Sequence, residues 1–520
     1  MFSKIFKVSA AILIVLAFLY ITTFSIDPDL GWHLRIGQTS LEQGTVPRVD
    51  QLSHTMPGFS WVDHEWLIEV LLAWMKSHAL WPIVIIFFTF FAAAPFLLWL
   101  ARARNVLEIC GVLLAASIAI NFIGVRPQMV SLFLFFLFFE FLRWLYEIDN
   151  RRTITIYLFI FCPVFFWVWA NLHAGFPAGI ILLGLFIFAR TIKHWRGDRA
   201  RALWFMGMGI ASGILTLGVT LINPYGLHLY REIFSVAGSS ETVRYIVEWR
   251  SGFIVSPTLN LVIWSGLYLW LLIFWRKHNS LFEIITTVIF FGFFAKSARM
   301  GPLWIVTTLP LLVIGLRLAK DSAKDLNSQK LPTLFFKAGI PFSAVILFSY
   351  AFWSYQIPVY PDRAVDFLKQ QASRQANFIL FNEYGWGGYL AERAPEIKVF
   401  IDGRMPHWIG QDGQGAMRDY VTLLYNGTPE EARAILARRG VNVVFLQNTS
   451  SPEEENKLWL YKIVPPSLRG SLANTYLAKI FEPLLRGGDK RNLITFLKAE
   501  GWRVLYSDQL AIILAKSEIN

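Results

Sequence analysis

The sequence predicts a polytopic α-helical membrane protein of about eleven transmembrane helices with a C-terminal extracytoplasmic α/β domain. Three observations predict it. Hydrophobic residues make up 55% of the 520 and charged residues 16%, with a mean hydropathy of +0.47, whereas soluble domains carry about 25% charged residues. Apolar runs long enough to cross a hydrocarbon core recur from residue 6 to residue 353. Lysines and arginines gather in short loops between alternate runs, which is a topology signal and accounts for the formal charge of +12 without a nucleic-acid partner.

The runs lie near residues 6–25, 80–101, 106–123, 127–147, 153–171, 175–193, 201–221, 258–276, 281–297, 300–318 and 333–353. The first follows Lys4 and Lys7 and lacks a small-residue cleavage site, so it reads as an uncleaved helix. Glu65–His78 is apolar on one face but short, as expected of a helix lying in the interface. The basic loops are Lys4/Lys7, Arg102-Ala103-Arg104, Arg143 with Arg151-Arg152, Arg190 to Arg201, Arg276-Lys277-His278 and Arg317 to Lys330. They are assigned to the cytoplasmic side of a bacterial inner membrane. An odd number of spans then puts the amino terminus inside and everything after about residue 354 outside. Cys110 and Cys162 both lie in apolar runs, so no disulfide framework or cysteine metal site is available.

The loops assigned to the outer face hold the chemistry. The first, residues 26–79, opens with Asp27-Pro28-Asp29, Trp32 and His33 and closes with Asp63-His64-Glu65-Trp66. Later loops add Arg126, His173 in Asn171-Leu172-His173-Ala174-Gly175, Glu248, Lys296 and Arg299. Each residue also has a plain alternative. Asp27 and Asp29 suit the start of a helix, Arg126 before Pro127 suits a tight turn, and Lys296 and Arg299 suit snorkelling to the interface. The His and acid spacing matches no tight metal signature, so the metal set is unassigned; a divalent cation, Mg or Mn, stays open, and no other cofactor is expected.

Together these groups suit a reaction on a lipid-linked phosphate. A carboxylate can take the proton of an attacking hydroxyl, and Arg and Lys can hold a phosphate as charge develops on it. Asp27, Asp29, Asp63 and Glu65 are therefore the catalytic candidates, and Arg126, Lys296, Arg299 and His173 the phosphate-binding ones. Trp32, His33, His64 and Glu248 are candidates for substrate binding.

After Ile357-Pro358-Val359-Tyr360-Pro361, which reads as an extended linker, residues 356–520 are long enough for a domain of their own, following a membrane domain over 1–355. Strands are expected at Ala376–Phe381, Lys398–Ile401, Val441–Leu446, Arg503–Tyr506 and Ala511–Ala515. Thr428-Pro429-Glu430-Glu431 forms a capping box that opens a helix stopped by Gly440, and Lys490–Gly501 reads as another helix. Trp386-Gly387-Gly388 and Asp402-Gly403-Arg404 form either a sugar or acceptor platform, with Trp386, Asp402 and Arg404 as binding residues, or a turn with a structural Asp–Arg pair.

On these motifs the chain resembles the GT-C superfamily of integral-membrane glycosyltransferases, and more narrowly bacterial family-39-like membrane proteins. The likeness rests on Asp27-x-Asp29-x-x-Trp32-His33-Leu34, Trp61-x-x-x-Glu65-Trp66-Leu67, Tyr384-Gly385-Trp386-Gly387-Gly388-Tyr389-Leu390 and Phe400-Ile401-Asp402-Gly403-Arg404, and it covers essentially the whole chain. The resemblance implies a sugar moved from a polyprenyl-phosphate donor, in the membrane bilayer, to a glycan, lipid or protein acceptor with inversion. It also implies that Asp27 or Asp29 acts as base or holds a metal, with Asp63 or Glu65 as second carboxylate. The tryptophan-tryptophan-aspartate-tyrosine-glycine signature of oligosaccharyltransferase is absent, which argues against sequon-reading peptide glycosylation. The rival classes are a lipid-linked glycan transporter, a polysaccharide ligase and a non-catalytic envelope-assembly protein. No duplicated halves or mid-membrane polar cluster supports the transporter.

Overall fold

The computed structural model describes residues 2–255, 259–275, 278–325, 340–355, 357–375, 377–410, 413–448 and 490–516. Arg276, Lys277, residues 326–330 of the last basic loop, the start of the final expected span and Ala376 lie outside them. The chain divides into two compact units. The first is Met1–Asp27, Asp63–Ile233 and Val247–Pro358; the second is Pro28–Val62, Phe234–Ile246 and Val359–Asn520.

The first unit is helical. Among the described residues, seven helices are long and apolar enough to cross a membrane: Ser3–Phe24, Trp81–Arg102, Pro127–Glu147, Arg151–Leu172, Phe176–Trp195, Arg199–Thr220 and Ala298–Lys320. Shorter apolar helices cover Val106–Phe122, Asn260–Phe274 and Pro341–Trp353, and Leu281–Lys296 starts with a capping box made by Ser280 and Glu283. Trp66–Ser77 forms the short helix expected before the second run. Proline at the first turn of Pro127–Glu147 and Phe176–Trp195 fixes where each begins.

The described basic loops gather at one end of this bundle and close on themselves. Lys7 Nζ donates to the Ala101 carbonyl at 3.0 Å. Arg102 pairs with Glu140 at 2.6 Å, Arg143 with Glu283 at 2.6 Å, Arg317 with Glu108 at 3.0 Å and Arg201 with Asp149 at 2.6 Å. Fully buried Arg190 donates to the Tyr146 and Ile148 carbonyls at 2.6 and 3.0 Å, satisfying the C-terminal end of Pro127–Glu147. A cavity of about 210 Å³ among Arg102, Glu140, Arg143 and Glu283 lies at this end. Asp27, Arg126, His173 and Lys296 lie at the other ends of the same helices.

Among the described residues, the second unit is built on a four-stranded sheet of order β1-β2-β4-β3, where β1 is Leu380–Asn382, β2 Val443–Gln447, β3 Arg503–Ser507 and β4 Ala511–Ala515. β1 runs parallel to β2, while β4 is antiparallel to both β2 and β3. β2 and β4 are central and almost wholly buried, which explains why they read as continuous apolar runs. Helix Pro429–Arg438 begins at the Thr428/Glu431 capping box, and Gly440 at φ 67° follows its end. Lys398–Ile401 is not a strand: Val399 makes only an isolated parallel bridge with Ser53.

The unit boundary departs from the sequence reading of residues 26–79 as one loop of the membrane domain. Pro28–Val62 belongs to the second unit, where Trp32, Ile36, Met56 and Trp61 share a core with Phe400, Met405 and Trp408. Each large apolar side chain contributes about 1.5–3 kcal/mol when buried, so a segment carrying four of them gains far more inside a core than as a solvated loop.

Candidate active site

In the first unit the acids of the loop end stand together. Asp63, Glu65 and Glu69 are 1%, 3% and 0% exposed. Glu65 sits at the N-cap of Trp66–Ser77, yet its side chain makes no cap bond; its Oε1 lies 2.9 Å from His173 Nε2 and 3.6 Å from His64 Nε2. Asp63 Oδ1 accepts the Glu65 amide at 3.0 Å. Burial pushes the Asp63 carboxyl up to about 6, against the opposing bonds from Glu69 and the Glu65 amide.

His173 is held in one tautomer by its surroundings. Its Nδ1 accepts the Gly175 amide N–H at 2.7 Å and lies 2.7 Å from Ser131 Oγ, which itself accepts the Trp169 indole N–H at 2.7 Å. A nitrogen that accepts a backbone N–H carries no proton, so the ring proton of the neutral imidazole is on Nε2, the atom facing Glu65. Burial lowers the His173 pKa despite the neighbouring Glu65 charge, and the ring is neutral at pH 7.

The cationic candidates are already engaged or exposed. Arg126 forms an ion pair with Asp27. Arg299 donates to Glu248 at 2.6 Å and lies 5.3 Å from the Trp249 ring centre. Lys296 is exposed at the end of Leu281–Lys296. Trp66 Nε1 donates to Asn171 Oδ1 at 3.2 Å, tying the acid-bearing helix to the loop that carries His173.

The second unit holds the other candidates. Asp29 occupies the N-cap position of Leu30–Gln43 without a side-chain cap bond, and its Oδ1 instead accepts the Trp32 indole N–H at 3.0 Å. The Trp32 and His33 rings lie 3.6 Å apart. Arg404 donates to both oxygens of Asp402, at 3.0 Å from Nε and 2.7 Å from Nη2, and to Asp50 at 2.9 Å. Its guanidinium lies 5.0, 5.2 and 5.9 Å from the rings of Trp61, Trp408 and Trp32. Burial opposes the Arg404 charge, but Asp402 and Asp50 overcome it and hold the pKa above its ordinary value. Trp386 packs on Phe445 with ring centres 4.7 Å apart. Trp386, Asp402 and Arg404 are thus enclosed, and the arrangement is the structural Asp–Arg pair rather than an open platform.

Sequence reasoning missed Glu69, Ser131, Trp169, Asp50 and Trp408. Glu69 had a signal, being an acid on the apolar face of a short helix. Ser131 and Trp169, inside apolar runs, had none.

No protein-family model and no curated protein sequence matches the chain. Solved structures do. The chain is similar to the oligosaccharyltransferase of Archaeoglobus fulgidus in its apo form, at 11% identity and TM-score 0.54 over 84% of this chain and 69% of that one. It is similar to AglB of Archaeoglobus fulgidus in complex with an inhibitory peptide and a dolichol-phosphate, at 12% identity and TM-score 0.53 over 100% of this chain and 75% of that one. A weaker likeness is to ArnT of Cupriavidus metallidurans bound to undecaprenyl phosphate, at 14% identity and TM-score 0.46 over 98% of this chain and 97% of that one. At these identities the likeness is one of fold. The chain shares the fold of the Archaeoglobus fulgidus oligosaccharyltransferase.

Proposed function

We propose that the protein is a membrane glycosyltransferase that moves a sugar from a polyprenyl-phosphate donor to an acceptor on the extracytoplasmic face. The observation that carries this reading is the set of buried acids Asp63, Glu65 and Glu69 with neutral His173, at one end of an apolar bundle whose fold is that of a membrane oligosaccharyltransferase. Buried acids gathered at a span end are a functional arrangement by default.

In this reading a carboxylate, Asp29 or Glu65, accepts the proton of the acceptor hydroxyl. The acceptor oxygen then bonds to the anomeric carbon from the face opposite the lipid phosphate. The carbon–oxygen bond to that phosphate breaks, its electron pair stays on the phosphate oxygen, and the sugar carbon inverts. Exposed Lys296 meets the donor phosphate, and Arg126 and Arg299 reach it by exchanging their carboxylate partners Asp27 and Glu248 for phosphate oxygens. His173 Nε2, 2.9 Å from Glu65 Oε1, orients that carboxylate.

The test is transfer by purified protein from a labelled polyprenyl-phosphate sugar. Glu65→Gln and Asp29→Asn should each lower kcat by about 100-fold or more while donor binding survives. Wild-type turnover in both variants removes the carboxylates from the reaction. Adding a chelator, then restoring Mg or Mn, reads whether a divalent cation takes part.

A further inference from the structure

Within the second unit, the two glycine motifs meet the segment that carries Asp29. A Cβ on Gly388 would overlap the Pro28 carbonyl oxygen and stand 3.3 Å from the Asp29 Cα and 3.0 Å from Trp32. A Cβ on Gly31 would overlap the Gly388 carbonyl, so the Leu30–Gln43 and Gly387–Arg393 helices touch through backbone on both sides. A Cβ on Gly387 would overlap the Ile401 carbonyl and stand 2.7 Å from Asp402 Cβ. A Cβ on Gly403 would overlap the Asp29 carboxylate itself, 2.6 Å from its Cγ and 2.9 Å from Oδ2.

None of Gly387, Gly388 and Gly403 has the left-handed φ that demands glycine, so what they supply here is closeness. Gly385, in the same motif, has open space where its Cβ would be. Gly403 is fixed from both flanks, since Arg404 grips Asp402 and Asp50 at 2.7 and 2.9 Å. The Asp29 carboxylate is thereby confined between the Gly403 backbone and the Trp32 indole N–H, 3.0 Å from Oδ1.

We infer that Gly388 and Gly403 are positioning residues for Asp29: the two glycine motifs form a cradle that sets where this carboxylate stands. The inference rests on the reading of Asp29 as a reacting carboxylate. It gives the Trp386-Gly387-Gly388 and Asp402-Gly403-Arg404 motifs a task other than binding sugar. The added methyl of Gly403→Ala needs only the end of the Asp29 side chain to move, whereas Gly388→Ala needs the Pro28 backbone to move.

The experiment compares Gly403→Ala with Gly385→Ala in the full-length protein, with Asp29→Asn alongside. Gly403→Ala should lower kcat on the order of 100-fold, the loss expected of a misplaced reacting group, with KM and melting temperature unchanged. Gly385→Ala should match wild type in all three. Loss of turnover in Asp29→Asn with full turnover in Gly403→Ala overturns the cradle alone, whereas full turnover in Asp29→Asn overturns the role of Asp29. Should Gly403→Ala lower the melting temperature, the same change in an Asp29→Gly background, where the carboxylate is gone, should restore it. No restoration would count against the cradle whatever the activity.

Discussion

Two buried charged clusters, one in each unit, show how differently a protein can treat ionisable groups out of water. Around Arg404, a single guanidinium meets two carboxylates and three indole rings, and nearly every polar atom of Asp402 and Asp50 is bonded at 2.5–3.2 Å. Around Glu65, three acids share a loop end with two histidines, one of them fixed as a neutral donor. In the first cluster every carboxylate oxygen of Asp50 and Asp402 accepts a direct bond, as buried acids must if they are to persist. The second is rich in acid, and burial makes Asp63 hold its proton to about pH 6. A cluster whose carboxylate oxygens are all bonded to donors ties a fold together; one in which an acid keeps its proton towards neutral pH is poised to change its protonation.

The largest effect should come from removing the cation of the first cluster. Arg404→Leu leaves Asp50 and Asp402 buried without their cation, a change that costs about 3–5 kcal/mol. Thermal unfolding of the full-length protein should show the loss, alongside a fall in expression. A melting temperature within a degree or two of wild type would break the comparison, because the Arg404 network would then be dispensable.

The second cluster should reveal itself through pH. Asp63 titrates near 6 in the folded protein against 3.8 for the ordinary group. The folded state thus holds a proton that the unfolded chain releases between those values. The contribution is fully present below about pH 4 and lost as pH rises through about 6. A shift of roughly two units corresponds to about 3 kcal/mol. Asp63→Asn should abolish this slope, so that variant and wild type converge in stability at low pH and the variant is the more stable at pH 7. Parallel curves for the two proteins across pH 4–7 would show that Asp63 is ionised throughout.

The contrast between the clusters also marks how far the sequence could be read. Helices were legible wherever an apolar run exceeds the span length, and the Thr428/Glu431 capping box placed the start of Pro429–Arg438 to the residue, whereas the Ser280/Glu283 box that starts Leu281–Lys296 went unread. The central strands β2 and β4 were legible as apolar runs, but Lys398–Ile401 was not distinguishable from them, because burial of an extended segment leaves the same pattern whether or not a ladder forms. Asp27 and Asp29 were visible as a pair, yet they fall in different units, a division that depends on where Trp32 and Trp61 find a core. The pairing of Arg404 with Asp50 spans 354 positions, and no local pattern encodes it. Ser131 beside His173 was invisible for the same reason: a single hydroxyl in an apolar helix reads as tolerated polarity until its partner 42 residues away is known.

The smallest effect isolates what fixes His173. Ser131→Ala removes a hydroxyl that lies 2.7 Å from Nδ1 and accepts the Trp169 indole N–H, yet it leaves the Gly175 amide donating to that same nitrogen at 2.7 Å. The indole loses a buried acceptor, which costs about 1–3 kcal/mol, while the backbone amide alone continues to exclude a proton from Nδ1. Nitrogen NMR of the histidine-labelled protein should therefore find His173 in the Nε2–H form in both wild type and variant, with both rings neutral at pH 7 and above. If the variant ring protonates in that range, the side-chain hydroxyl and not the Gly175 backbone is what keeps the histidine neutral. The acid-rich cluster would then be set by a replaceable side chain, whereas the tie around Arg404 would still be fixed by paired charges.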